Sequence, residues 1–218
     1  VLNRSLSYVS GAESANDLSP SNLLKTVSNR GIKIVVDENQ PPVVVYAHIY
    51  AGNRSTATII LPKSVLERRY MTYSYTQLPN GSSVGEESRS QFTIVAVENK
   101  TRIRIGLRKD GTPSGTPYEI QLNSAGDVYC FQSDTDLTGS EIESIPDGDN
   151  PCKKIAVFSG SSSARIPAIM NARSLDPLMQ QCYPINTWGQ QYFITPLKGK
   201  NNFIFRVLAK EDNTVVRI

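Results

Sequence analysis

His48, Cys130, Cys152 and Cys182 are the only histidine and cysteines in the chain, so the side chains that most often hold metals or move protons are scarce. Imidazole catalysis and thiolate metal sites draw several such groups together, and cysteine spacings of 22 and 30 residues contain no C-x-x-C pair. Zinc and dithiol redox chemistry are therefore set aside, and no cofactor is expected. The cysteine count leaves either one disulfide with a spare thiol or three buried free thiols. Cys152 precedes a strand-like run and Cys182 closes the segment SLDPLMQQ. Both lie near turns, which makes them the pair expected to bridge, while Cys130, inside DVYCFQS, is expected free and buried.

The remaining chemistry is aromatic, acidic and basic. In VVVYAHIY, period two puts Val44, Tyr46, His48 and Tyr50 on one strand face. Tyr46, His48 and Tyr50 are the first candidate ligand-binding residues, a surface on which a glycan could stack; the plainer reading of His48 is a hydrogen-bonded imidazole on a half-covered sheet. Arg102, Arg104, Arg108 and Lys109 form a basic cluster. Within it Arg102 and Arg104 share a face suited either to acidic glycans or to protecting a strand edge. The stretch SDTDLTGSEIESIPDGDN supplies Asp134, Asp136, Asp147 and Asp149, hard oxygen ligands of the kind calcium uses. It has no EF-hand spacing, and turn chemistry is the competing explanation. FSGSSSARIP offers Ser159 and Ser161 to Ser163 without a G-x-S-x-G elbow, and reads as a Gly-Ser turn after a strand.

These residues must be positioned by strands. GIKIVVDENQPPVVVYAHIYAG carries two β-branched runs, 32–36 and 43–50, around a polar turn. STATIILP and RYMTYSYTQ follow with period-two alternation, then a Pro-, Gly- and Ser-bearing loop from 78 to 90. SQFTIVAVENKTRIRIGL predicts a hairpin turning at Glu98 to Lys100, and further strands are expected in PYEIQLN, DVYCFQS, SEIESI and KKIAVFSG. SLDPLMQQCYP, with Asp176 to cap and Pro177 in first position, predicts one short helix. Residues 1–30 read as a Ser- and Asn-rich lead-in arm.

A chain of 218 residues with 20% charged residues and a net charge of +3 has neither a membrane-length apolar run nor the positive field of a nucleic-acid binder. It also repeats itself. FTIVAVENKTRIRI (92–105) recurs as FRVLAKEDNTVVRI (205–218), with Phe, Ala, Glu, Thr, Arg and Ile identical at a constant offset. The repeat predicts an all-β, antiparallel sandwich-like architecture of two units, 31–137 and 138–218. By the same logic the strands equivalent to 118–133 are expected after Ile218, in a longer chain. Phe92 and Phe205 should be equivalent core positions, and Trp188 should anchor the second unit ahead of a QQYFITPL strand.

GIKIVVDENQPPVVVYAHIYAGNRSTATIILP, SQFTIVAVENKTRIRI, DLTGSEIES and CYPINTWGQQYFITPLKGKNNFIFRVLAKEDNTVVRI together resemble the N-terminal domain of the IgGFc-binding protein family. The most specific elements are Trp188–Gly189 ahead of a Tyr-bearing strand and the A-x-E-D-N-T turn at Ala209 to Thr214; the first copy departs from it as A-V-E-N-K-T. The resemblance implies a non-catalytic, secreted or surface-anchored β-domain that meets a protein or glycan at a cell surface, in an oxidising compartment. YAHIYAGNRS and DLTGS look closer to bacterial members found in large surface proteins of gliding bacteria with a dedicated outer-membrane secretion system. The rival readings are a structural spacer or docking platform and, with no recognisable site, a hydrolase.

Overall fold

The computed structural model describes residues 26–51, 54–75, 88–164, 176–195, 198–199 and 204–218. The loop expected from 78 to 90 lies largely outside them, as does residues 1–25 of the lead-in arm. Two antiparallel sheets face each other. The first has the order β1 (Thr26–Asn29), β10 (Asp127–Ser133), β5 (Ser90–Ala96), β12 (Ile155–Ala164) and β13 (Asp176–Gln181). The second runs β4 (Arg69–Met71), β11 (Glu141–Ile145), β6 (Thr101–Gly106) and β9 (Tyr118–Leu122). The all-β sandwich predicted from alternation is the observed architecture. Strands from beyond residue 138 interleave with earlier ones, since β11 pairs with β4 and β6, and β12 pairs with β5.

Residues 92–105 do not close as a hairpin. β5 and β6 lie in opposite sheets, so the Glu98–Lys100 turn is an arch that carries the chain across the sandwich. Alternation explains the geometry. Phe92, Ile94 and Ala96 of β5 and Ile103 and Ile105 of β6 are all buried in one cluster, which two facing sheets allow. Lys100 takes a positive φ of 54° to make the turn, and the Thr101 hydroxyl donates to the Glu98 carbonyl at 2.7 Å. A second arch, β9 to β10, stacks on the first: Ile105 pairs with Tyr118, Ile103 with Ile120, Ile94 with Tyr129 and Phe92 with Phe131. The Phe92 and Phe131 rings stack with centroids 5.3 Å apart.

Two ribbons complete the described fold. β7 (Arg108–Lys109) and β8 (Thr112–Pro113) are joined through Asp110 and Gly111, both at positive φ, the pattern of a tight Asp-Gly hairpin. β2 (Val45–Ala51) pairs with β3 (Arg54–Ile60). The β-branched run 32–36 forms no strand, so the hairpin is made with STATII instead.

The described part of SLDPLMQQ, from Asp176 on, is not helical. Asp176–Gln181 is strand β13, because its backbone pairs with the edge of β12, and tertiary pairing outweighs a capping signal. Among the described residues the one short helix is a 3₁₀ turn at Ile185–Thr187. Nor does FSGSSSA turn, for it continues β12 to Ala164. Small side chains are required there: a Cβ on Gly160 would stand 1.9 Å from the Leu178 carbonyl oxygen of β13. Replacing the fully buried Phe92 by Ala should lower stability by about 3–5 kcal/mol in denaturant unfolding, whereas Phe205→Ala, on an exposed side chain, should stay within about 0.5 kcal/mol.

Candidate functional site

The β2–β3 ribbon is held to the sandwich by side chains. Buried Gln181 of β13 accepts the Leu61 N–H at 2.8 Å through Oε1, and its own N–H donates to the Thr58 hydroxyl at 3.1 Å. Asp176 accepts the Ser55 N–H at 3.2 Å. These bonds turn Thr58 inward and fix the register, in which Tyr46 pairs with Ile59, His48 with Ala57 and Tyr50 with Ser55. Tyr46, His48, Tyr50 and Ile59 are consequently exposed on the outer face. The half-covered sheet of the plainer reading is therefore not what His48 occupies. Aromatic faces held on a ribbon can stack on planar or pyranose groups; proton transfer would need a second, orienting group.

The other candidates are dispersed. Arg102 and Arg104 share a face of β6, but both are engaged by Glu119 of β9, at 2.7 Å and 3.0 Å. The Arg104 hydrogen bond, with Arg102 beside it, holds the Glu119 carboxyl below its ordinary range. The pairing locks two strands together, and the one carboxylate offsets one of the two guanidinium charges. Asp134 meets the buried guanidinium of Arg89 at 3.2 Å, and Asp136 meets Arg206 at 2.8 Å. Asp147 accepts from Gln121 at 3.3 Å in a separate turn, where Asp149 is exposed. Among the described residues no three His, Cys, Asp or Glu side chains come together as a metal site.

The Cys152–Cys182 bridge is not formed, and all three cysteines are free. Register is the reason. Cys182 donates its backbone N–H to the Val157 carbonyl at 2.7 Å. Residue 157 lies five positions along the chain from Cys152, roughly 15 Å if extended, where a bridge needs α-carbons within about 7 Å. Burial pushes the Cys182 thiol up to about 12, and its sulfur sits 3.1 Å from the Ser159 hydroxyl. Ser159 in turn donates to the Tyr73 carbonyl at 2.8 Å. This serine is spent on structure rather than poised as a nucleophile.

A cleft of about 440 Å³ escaped the sequence reading. It lies where residues 206–212 cross the Asp110–Gly111 turn and the 136–139 loop. Arg206 donates to the Ser74 carbonyl and the Asp136 carboxylate and covers the Tyr75 ring. Asp110 accepts the Asp136 N–H at 3.0 Å, Arg108 donates to the Gly111 carbonyl at 3.0 Å, and Asp136 accepts from the Thr138 hydroxyl at 2.6 Å. Turn chemistry was the competing reading for the stretch that holds DLTG, whereas the Asp110–Gly111 turn was not singled out. Nothing in the sequence placed Arg206 against them across 70 residues. Trp188, expected in a core, is half-buried and donates its indole N–H to the Tyr183 carbonyl at 3.2 Å. QQYFIT forms no strand with the described residues, and Tyr192, Phe193 and Ile194 are exposed.

The profile of the family described as IgGFc binding protein matches residues 56–218. The chain belongs to that family. It is a family of binding domains, not of enzymes, typically extracellular. No curated protein and no solved structure matches the chain. Among the described residues no helix is long and apolar enough to cross a membrane. With a thiol reagent at mild alkaline pH, Cys152, partly exposed, should react in the folded chain, while buried Cys182 should react only on unfolding. Equal rates for the two would contradict the structure.

Proposed function

We propose that this IgGFc-binding family domain is a non-catalytic extracellular adhesion module that takes a protein or glycan ligand on the outer face of the β2–β3 ribbon. The observation that carries the reading is the exposed row of Tyr46, His48 and Tyr50, flanked by Ile59, on a ribbon that Gln181 anchors from behind. Exposed aromatic and apolar side chains in one contiguous row are what a binding patch supplies and what an inert surface avoids. The adhesion protein of a gliding or outer-membrane-secreting bacterium is the finer setting, supported by YAHIYAGNRS and DLTGS alone.

A structural role, as spacer or docking platform in a surface assembly, is favoured by a different observation: Arg102 and Arg104 are both tied to Glu119 of the neighbouring strand, and the cleft's polar groups bond mainly to one another. The two readings part on a glycan array and on immobilised immunoglobulin Fc. Binding by the wild-type chain that falls at least about tenfold in Tyr46→Ser/Tyr50→Ser, with unchanged melting temperature, is expected. Binding to neither probe favours the structural role, and binding that survives the double substitution removes the ribbon from the site.

A further inference from the structure

The β2–β3 ribbon has one edge against the sandwich and one edge open. Ser55 gives its backbone N–H to Asp176 of β13 at 3.2 Å, and Leu61, an even number of positions along, gives its own to Gln181 at 2.8 Å. Backbone direction alternates in an antiparallel ladder, so residues 55, 57 and 59 all turn their N–H and C=O groups towards β13 and away from β2. Their partners across the ribbon are Tyr50, His48 and Tyr46. In such pairs both members point their backbone groups outward, and these three residues therefore aim theirs at the open edge. Among the described residues β2 pairs with β3 alone.

Open edges are commonly blunted by a lysine, a proline or a bulge. Val45–Ala51 holds no Lys, Arg, Asp, Glu or Pro, and its ladder with β3 runs without a shift of register. The strand also reads nearly the same in both directions. About His48, Tyr46 mirrors Tyr50 and Ala47 mirrors Ile49. That symmetry has a structural meaning. When β2 is laid antiparallel against β2 of a second copy with His48 on the two-fold axis, Tyr46 falls opposite Tyr50 on the outer face, and Ala47 falls opposite Ile49 on the inner one. Aromatic meets aromatic, and small meets large. The outward N–H and C=O groups of residues 46, 48 and 50 meet in the same register, so each donor at the edge finds an acceptor. Tyr46 is 63% exposed, Tyr50 73% and Ile49 44%, which leaves them accessible to that partner. A strand of unrelated sequence would gain the backbone bonds without the match on both faces.

We infer that β2 is a self-complementary edge through which two copies of this chain associate, strand to strand and antiparallel about His48. Backbone hydrogen bonds supply the affinity, and the mirrored side chains supply the register. The product is a four-stranded sheet in the order β3–β2–β2–β3, whose outer face carries two rows of Tyr46, His48 and Tyr50 side by side. The contact is isologous, as a two-fold axis requires, and it leaves the Asp176 and Gln181 anchors of each ribbon in place. It uses the edge of the ribbon, whereas the proposed ligand uses its face, so the pairing stands with or without that ligand.

Sedimentation equilibrium of the chain without ligand tests the pairing. Two strands bury little surface, which places the association in the weak class, so the mass is followed up to about 0.5 mM. It should rise from 24.0 kDa towards twice that value. His48→Lys and His48→Glu each set like charges face to face on the axis and should weaken association at least about fivefold. An equimolar mixture of the two should restore it, because Lys then faces Glu. His48→Pro removes an N–H that points to the open edge and not to β3, a change that an edge strand tolerates, and it should abolish association. Three results would overturn the inference: a mass of 24.0 kDa throughout, association that survives the charge substitutions or His48→Pro, or charge variants that stay apart when mixed. With no ligand present, failure here leaves the ligand reading of the ribbon's face standing.

Discussion

The arch between β5 and β6 is the constraint on which the sandwich rests. Two adjacent strands with alternating apolar residues can pair in one sheet, leaving a single bare face, or can cross to opposing sheets, so that each covers the other. Here the turn crosses, and Phe92, Ile94, Ala96, Ile103 and Ile105 form the two sides of one core. The crossing is repeated at once by β9 and β10 in the same register, which extends the apolar core without adding a new geometry. Burial of this kind dominates folding free energy, and it is available here only because each sheet's inner face is matched by the other's.

Polar groups then decide what may lie beside that core. Tyr70 is fully buried, yet its hydroxyl donates to the Ile155 carbonyl at 2.8 Å and accepts the Glu67 N–H at 2.9 Å, tying β4 to the start of β12. Burial pushes that phenol up to about 12, so it remains neutral and able to donate at any ordinary pH. The Tyr73 hydroxyl donates to the Gln181 carbonyl at 2.9 Å, and the Gln181 side chain holds the ribbon. The exposed aromatic row is thus positioned by a chain of satisfied bonds leading back to the core, and a buried polar group in that chain would be costly to leave unpaired.

Most strands were legible because their alternation is strong: SQFTIVA, TRIRIG, YEIQL, DVYCFQS and EIESI became β5, β6, β9, β10 and β11. Which sheet each joined was not, since period two says that a strand has an inner face and not which neighbour it pairs with. DPLMQQ shows the limit from the other side. Its capping and proline signals are local, whereas the edge of β12 that recruits it lies 12 to 23 residues back in sequence, from Ala164↔Asp176 to Phe158↔Gln181. The site residues divide in the same way. The outward row of Tyr46, His48 and Tyr50 followed from alternation along one strand, but the capture of Arg102 and Arg104 by Glu119 depended on β6 meeting β9.

The two copies of the arch separate these local and non-local parts within one molecule. The turn is built from its own residues: a left-handed position at Lys100 or Asn213 and a threonine bonded three residues back. It therefore forms in both copies, although Asn suits a positive φ better than Lys does. The strands are not built from their own residues. An isolated strand pair is marginal in water, and β5 and β6 owe their extended form to neighbours on both sides. At 205–218 the same alternation accompanies a formed turn whose flanks make no strand with the described residues.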